Sequence, residues 1–403
     1  MKNRRVVALV LMAALALAAC APGGLGAGDQ GDAAASTTTA PPTDSTTPAT
    51  TAPSTSEPSG ELDAVVAEIS DFVAAERGLP FLRPVTVELA EDDEFESRLL
   101  EDFDESVDDI EETDLTLTAL GLIESDADLV EEYRKLLGLG VVGFYDPETD
   151  ELVVRGAELT PFVRETIAHE LTHALDDQHF ELDRPEVDEA DDETGFGFTA
   201  LAEGNAVRVE DAYLDSLSEA EQQDAEEEEL SAGADPAIFT IPFVLITVLV
   251  APYTYGPILV EEILDQGGQA RLDSAFAAPP VTSEQVLDPE RFLAGEGPKA
   301  VSTPAADGEV GDQGAFGAFG LQTLFEEGVD GDLARDAVEG WGGDAYVSWR
   351  QGDDACIRLT VVGDTAGDTE EIHDALADWV GDDGEVIDAT EAGVTVTSCR
   401  AAS

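Results

Sequence analysis

Three of the four histidines in this 403-residue chain, His169, His173 and His179, lie within eleven residues of one another. The segment that carries them begins with a clear helix signal, because Thr160 can cap a helix and Pro161 suits its first position. The apolar residues that follow recur at helical spacing: Phe162, Val163, Ile167, Leu171, Ala174 and Leu175. The pattern therefore predicts one amphipathic helix that carries most of the histidine of the chain.

Residues 169–173 have the pattern H-E-x-x-H. On a helix, His169 and His173 are about 40° apart around the axis and about 6 Å apart along it, so both imidazoles project from one face. Two imidazoles placed in this way can hold one Zn²⁺. Glu170 is then within reach of a water that the zinc activates, and it can take the proton and return it to a leaving amine. We expect His169 and His173 to be metal ligands and Glu170 to be the catalytic base.

The motif resembles that of the zincin metallopeptidases, whose substrates lie along a strand edge placed before the motif helix. Two strands around a turn are predicted at 141–155, which is the matching position. The run E-L-T-H-A-L-D-D-Q-H-F at 170–180 and the run A-L-A-E-G-N-A at 200–206 look like a group of uncharacterised bacterial gluzincin-like (thermolysin-like) proteins. The resemblance covers roughly residues 140–300. It implies that Glu203 is the third zinc ligand and that the reaction is peptide-bond hydrolysis.

A second candidate for the third ligand is His179. It lies ten residues after His169, which is the spacing of the metzincin motif H-E-x-x-H-x-x-G-x-x-H. Position 176 is Asp where that motif has Gly, and a continued helix would place His179 about 120° around the axis from His173. Metzincins also need a methionine beneath the metal, and both methionines of this chain lie in its first twelve residues. The sequence favours Glu203.

Further residues are candidates for supporting roles at the metal. Asp177, four residues after His173, could orient a ligand imidazole, and Asp176 could do the same for another group. A solvated acid is the alternative for each of them. Val207 stands where the thermolysin-like pattern has an aspartate, four residues after the ligand glutamate. Tyr253 and Tyr255 are candidate donors to the oxyanion of a tetrahedral intermediate.

The first twenty residues predict export and a lipid anchor. A basic start is followed by an uninterrupted apolar run at 6–19, which is too short for a comfortable membrane span. The run ends in L-A-A-C, and this resembles the bacterial lipobox, so we expect cleavage after residue 19 and lipid on Cys20. Residues 20–60, rich in Ser, Thr, Pro and Ala, are predicted to be a disordered tether that holds the protein outside the cytoplasm. Plain secretion is the alternative.

The rest of the chain predicts an α+β fold that is mostly helical, with a small N-terminal sheet. A zincin-like catalytic domain is expected at 61–325 and a small C-terminal α/β module at 326–403. An exported chain with two remaining cysteines favours a disulfide between Cys356 and Cys399. Further elements are expected as a strand at 84–89, helices at 92–110, 126–137 and 199–217, and a buried apolar helix at 237–251 that Pro242 and Pro252 interrupt or end.

The charge excludes one class of partner. The chain has 19 Lys and Arg residues against 89 Asp and Glu residues, a formal net charge of −70, so a nucleic-acid backbone would be repelled. Solubility in salt explains such a surface, and a preference for cationic substrates is the more specific alternative.

The sequence as a whole predicts a zinc-dependent peptidase with a peptide or protein substrate. A non-catalytic, zinc-containing binding or scaffold lipoprotein and a zinc hydrolase of a non-peptide amide are the alternatives.

Overall fold

A computed structural model of the protein describes residues 58–101, 103–188, 192–326, 328–381, 384–390 and 393–401. The predicted signal segment, Cys20 and the tether as far as residue 57 lie outside these residues. The fold is mixed α+β and helices dominate, as the sequence predicts.

The fifteen helices of the described residues are α1 Pro58–Arg77, α2 Asp92–Leu99, α3 Val107–Leu120, α4 Leu129–Gly140, α5 Pro161–Phe180, α6 Pro185–Asp188, α7 Asp192–Ser216, α8 Glu219–Ala232, α9 Phe243–Gly267, α10 Gln269–Ala277, α11 Ser283–Leu287, α12 Pro289–Ala294, α13 Gly317–Phe325, α14 Gly331–Glu339 and α15 Ala366–Val380. The single helix expected at 92–110 is wrong. The chain there forms α2, a short 3₁₀ helix at Phe103–Ser106 and then α3.

A three-stranded sheet lies at the N-terminal side of the fold. Its strands are β1 Val87–Ala90, β2 Gly143–Asp146 and β3 Glu151–Arg155, in the order β1-β3-β2. The predicted pair of strands is the antiparallel hairpin of β2 and β3, while β1 joins β3 in parallel. This order makes β2 an outer strand of the described sheet.

Helix α5 forms where the sequence predicts it. The Thr160 hydroxyl accepts a hydrogen bond from the Val163 amide, and Pro161 occupies the first turn, where its missing N–H costs nothing. The predicted apolar face is almost fully buried against α1 and the small sheet. Helices α7 and α8 pack along other sides, so even the polar face of α5 is buried.

Helices α7 and α9 cross at two glycines. A Cβ added to Gly204 would lie 2.1 Å from the carbonyl carbon of Gly256, and a Cβ added to Gly256 would lie 2.1 Å from the Ala200 carbonyl oxygen. The two backbones are therefore in direct contact, which only glycine permits. This crossing fixes the residues on either side of it, Glu203 on α7 and Tyr253 on α9.

The predictions for α9 need correction. Pro252 does not end the helix, because Pro252 and Pro257 both lie inside it and Pro242 is its N-cap. Packing along α7 holds the helix together although each proline removes a backbone donor. The helix is buried along one side only, since Leu259 and Ile263 are inaccessible whereas Phe243 is 61% exposed. By length and composition alone, α9 could cross a membrane.

A five-stranded antiparallel sheet forms the C-terminal unit. Its strands are β4 Glu309–Gly314, β5 Trp341–Gln351, β6 Asp354–Gly363, β7 Gly384–Thr390 and β8 Gly393–Ala401, in the order β4-β5-β6-β8-β7. Antiparallel pairing makes it α+β rather than α/β. Helix α3 packs on this sheet, and β4 lies before residue 326, so the sheet draws on chain from both predicted domains. Cys356 and Cys399 face each other on β6 and β8 and form a disulfide.

Candidate metal centre

Helices α5 and α7 bring three predicted ligands together. Nε2 of His169 lies 3.0 Å from Nε2 of His173. Oε2 of Glu203 lies 3.2 Å from the first of these nitrogens and 3.3 Å from the second. All three residues are buried, and among the described residues they form a group of side chains that could hold a metal ion.

The spacing of the three donor atoms fits a tetrahedral ion. Metal–ligand bonds of about 2.0–2.1 Å at a tetrahedral angle separate the ligand atoms by about 3.3 Å. The three observed edges, 3.0, 3.2 and 3.3 Å, are close to that value. An ion bound to these atoms would keep further coordination positions for water or a substrate.

The Glu203 carboxylate is directed at the histidines. Its side chain is inaccessible to solvent, and no hydrogen-bond donor of the described residues reaches its second oxygen, Oε1. Burial raises the pKa of Glu203, but His173 and His169 lower it by more, so the pKa lies below its ordinary value. A buried carboxylate that is ionised needs a cation, and a metal would meet that need.

Glu210 lies about two turns beyond Glu203 on α7 and supports the site, although no motif in the sequence predicts it. Its Oε2 accepts a 2.7 Å hydrogen bond from Nδ1 of His169. A proton held on Nδ1 leaves the Nε2 lone pair of the neutral ring for a metal. Because Glu210 follows Glu203 by seven residues, about two helical turns, both carboxylates face α5. The spacing of seven residues from Glu203 is therefore the sequence signal that indicates Glu210. The thermolysin-like pattern instead points to position 207, where this chain has Val207.

The pKa values of the two imidazoles are shifted in opposite directions. Burial lowers the pKa of His169, but the carboxylates of Glu210, Glu203 and Glu170 raise it by more, so the pKa lies well above its ordinary value. Burial lowers the pKa of His173, and the net shift there is downward. The excess of carboxylate charge around the cluster thus favours a proton on His169. A divalent ion could take the place of that proton.

Glu170 lies on the same helix, inaccessible to solvent, and faces strand β2. A Cβ added to Gly143 would meet the Thr166 methyl at 2.6 Å and Oε1 of Glu170 at 3.0 Å. Glycine at this position therefore lets β2 approach the motif helix closely. The outer strand of the small sheet and the predicted catalytic glutamate are neighbours.

The two candidate tyrosines diverge. The ring of Tyr253 stacks on His169, with ring centroids 6.2 Å apart and an interplanar angle of 21°. Tyr255, two residues on, points away and accepts a 2.6 Å hydrogen bond from Gln322 while its ring packs on Phe319. Of the two, only Tyr253 adjoins the cluster.

His179 and Asp177 lie away from the donor triangle. The Nε2–H of His179 donates a 2.8 Å hydrogen bond to the Pro80 carbonyl, near the solvent-exposed end of α5. Asp177 accepts a 2.9 Å hydrogen bond from the Tyr145 hydroxyl. The prediction that Asp177 orients a ligand imidazole is wrong, because its carboxylate faces the hairpin.

Asp176 links α5 and α7, the two helices that carry the metal-site residues. One of its oxygens accepts from Arg77 Nε at 2.7 Å and the other from Asn205 Nδ2 at 2.6 Å. Arg77 is fully buried, and its guanidinium carbon lies 5.4 Å and 5.5 Å from the ring centroids of Phe180 and Phe276, which stack on each other. Burial raises the pKa of Asp176, although Arg77 opposes the shift. The aspartate therefore ties α5 to α7 and α1 instead of bonding an imidazole.

Comparison with known proteins places only the C-terminal part of the chain. Residues 265–401 match a family described as Domain of unknown function (DUF8575). That match begins at the end of α9 and takes in the five-stranded sheet, and it contains none of the three metal-site residues. No curated protein and no solved structure matches the chain.

Proposed function

We propose that the protein is a zinc-dependent peptidase of the gluzincin type that acts outside the cytoplasm. The observation that carries the proposal is the triangle of His169, His173 and Glu203 donor atoms with Glu170 on the same buried helix. A structural zinc site is usually closed by four protein ligands, whereas a catalytic site has three and keeps a position open. Here three ligands and a neighbouring acid favour catalysis.

Each residue then has a distinct role. His169, His173 and Glu203 would hold Zn²⁺, which supplies a Lewis acid that polarises a carbonyl and makes water acidic at neutral pH. Glu170 takes the proton of the attacking water and passes it to the leaving amine nitrogen. Tyr253 lies beside His169, where its hydroxyl could donate to the oxyanion.

The substrate would lie along β2. An extended peptide can add to the outer edge of a sheet through main-chain hydrogen bonds. Strand β2 has such an edge, and Gly143 brings it against Glu170. A peptide bond held there would be delivered to the base. The Cys356–Cys399 disulfide fits an oxidising compartment, which agrees with the predicted export by the N-terminal signal segment.

The test compares zinc content and peptide hydrolysis in the wild type and in Glu170→Gln, with a library of quenched peptides as substrates. Glu165→Gln is the matched control, because Glu165 is another buried glutamate of α5. Burial and the carboxylate of Glu210 raise its pKa to about 9, so Gln replaces a neutral side chain there.

The proposal expects zinc in all three proteins, activity in the wild type and in Glu165→Gln, and a loss of at least about 100-fold in Glu170→Gln. Equal hydrolysis by the wild type and Glu170→Gln would disprove the role of the glutamate. Bound zinc without hydrolysis of any peptide would instead indicate a binding or scaffold lipoprotein or a zinc hydrolase of a non-peptide amide.

A further inference from the structure

A cavity of about 340 Å³ lies between the ligand helix α7 and the C-terminal unit. Its volume is within the range of pockets that bind small molecules or large side chains. Apolar side chains from five helices form most of its walls, among them Leu117 on α3, Leu137 on α4, Phe196 on α7, Leu249 on α9, and Phe316 and Phe319 at and in α13.

Two of the helices that line the cavity also carry residues at the metal cluster. On α7, Thr199 lines the cavity, and Glu203 follows it by one turn. On α9, Leu249 lines the cavity, and Tyr253 follows it by one turn and stacks on His169. Residues four apart share a helix face and are about 6 Å apart along the axis. Both helices thus lead from the cavity to the metal cluster.

The charges of the lining restrict the ligand. Four acids line the cavity, and no Lys, Arg or His of the described residues does. Glu193 is held in the wall by the amide and hydroxyl of Ser283, and Asp312 accepts from the Tyr346 hydroxyl. Asp109 is half-buried and Glu112 is exposed, so both remain near the solvent. An anionic ligand, such as a fatty acid, would meet only like charge.

We propose that this cavity is the subsite for a bulky apolar side chain of the substrate peptide. The substrate residues that flank this side chain would not be acidic. The inference rests on the proposed peptidase function and names the substrate class for that site. It also gives the C-terminal unit a role. Phe316, Phe319, Gly320 and Thr323, at and in α13, belong to the part of the chain that matches the domain family, and they line the cavity.

The experiment uses a matched pair of surface valines in the full-length, zinc-loaded protein. Val248 lines the cavity and is 44% exposed, and Val281 is 42% exposed and lies outside the lining. A tryptophan at position 248 narrows the mouth, whereas one at position 281 does not. Both side chains are at the surface, so neither Val248→Trp nor Val281→Trp should prevent folding.

Two readouts are compared. The first is the binding of Nile red, a neutral apolar dye, which does not depend on catalysis. We expect at least tenfold weaker binding to Val248→Trp than to the wild type or Val281→Trp. The second is kcat/KM for a peptide series with Ala, Leu or Phe at one position. We expect a preference of about 10- to 100-fold for Leu or Phe over Ala in the wild type, reduced in Val248→Trp only.

The outcomes separate the subsite from the function. Hydrolysis without a preference for bulky side chains, equal effects of the two tryptophans, or faster hydrolysis when Glu flanks the apolar residue would overturn the subsite and leave the peptidase intact. Failure to cleave any peptide with zinc bound would overturn the peptidase proposal and the peptide assignment with it. Dye binding that Val248→Trp alone weakens would then identify the cavity as a binding pocket for another neutral apolar ligand.

Discussion

His169 and Glu210 are joined by a 2.7 Å hydrogen bond between Nδ1 and Oε2, across 41 residues of sequence. The same face of α7 carries Glu203, whose carboxylate lies 3.2 Å from the other nitrogen of the His169 ring. One helix therefore supplies both a candidate metal ligand and the acid that orients a second candidate ligand. The imidazole of His169 is fixed at both ends, which prepares the site before an ion arrives.

Replacing Glu210 should weaken metal binding without abolishing it. We expect Glu210→Ala to lower Zn²⁺ affinity about 10- to 100-fold, because the His169 ring loses its orienting acceptor. Glu210→Gln keeps an acceptor oxygen but loses the charge, so its Zn²⁺ affinity should lie between those of the wild type and Glu210→Ala. Competition with a chromophoric chelator measures the affinities. Glu226→Ala, at an exposed position of α8, is the control, and an unchanged affinity in Glu210→Ala would refute the role.

The third ligand can be identified by removing each candidate in turn. Glu203→Ala deletes one corner of the donor triangle and should abolish stoichiometric zinc after dialysis. His179→Ala should retain about one zinc per chain, because the His179 ring bonds to the Pro80 carbonyl. Metal analysis by mass spectrometry gives the stoichiometry. Loss of zinc from His179→Ala together with its retention in Glu203→Ala would reverse the assignment.

Local signals were sufficient to predict α5 and the hairpin before it. Thr160 and Pro161 mark the start of the helix, and the H-E-x-x-H spacing puts two imidazoles on one face whatever the rest of the chain does. The strands at 143–146 and 151–155 lie on either side of a turn rich in Asp, Pro and Thr. Local signals do not identify Glu203 as a ligand, because its role is implied only by the resemblance to a family.

The supporting contacts could not be predicted because they join distant parts of the chain. Arg77 reaches Asp176 across 99 residues, and nothing in the sequence near either residue indicates the other. Gly204 and Gly256 touch only because two helices cross there. For the same reason the sequence predicts that Pro252 interrupts or ends a helix, whereas the structure continues through it. Local propensity predicts a break at proline, whereas tertiary packing decides whether the helix continues.

The glycine contact between α7 and α9 should be intolerant of a methyl group. Gly256→Ala would place a Cβ 2.1 Å from the Ala200 carbonyl oxygen, so the helices must separate. We expect the free energy of unfolding to fall by about 1–3 kcal/mol, more than the gain in helix propensity from alanine. Denaturant unfolding measures the change. Gly297→Ala is the control, since no atom lies within 4 Å of the added Cβ, and equal stability of the two variants would contradict the prediction.

Removing the Arg77 guanidinium should be among the most damaging changes away from the metal. Arg77→Met leaves Asp176 buried without its cation, and the expected loss is about 3–5 kcal/mol of unfolding free energy. The double variant Arg77→Met/Asp176→Asn removes both charges and should recover part of the loss. Arg335→Met, which breaks exposed ion pairs, should cost less than about 1 kcal/mol. A double variant less stable than Arg77→Met would show that the charge pairing does not explain the effect.

Glu284 should make the protein less stable as the pH rises from about 4.5 to about 8. Burial, opposed by Arg291 and assisted by Asp364, raises its pKa from 4.5 to about 8. Between these values the folded chain holds a proton that the unfolded chain releases. Stability from this group is therefore complete below pH 4.5 and is lost as the pH rises to about 8, by at most about 1.4 kcal/mol per pH unit.

Glu284→Gln removes this titration, and urea unfolding at pH 5, 6, 7 and 8 tests it. The stability of Glu284→Gln relative to the wild type should increase steadily from pH 5 to pH 8. The matched control is Glu290→Gln, at an exposed position of α12, whose stability relative to the wild type should not follow this trend. Because the many other acids of the chain titrate alike in variant and wild type, their contributions cancel in the difference. A difference that is flat with pH, or that falls, would mean that Glu284 is ionised in the folded protein and that Arg291 outweighs its burial.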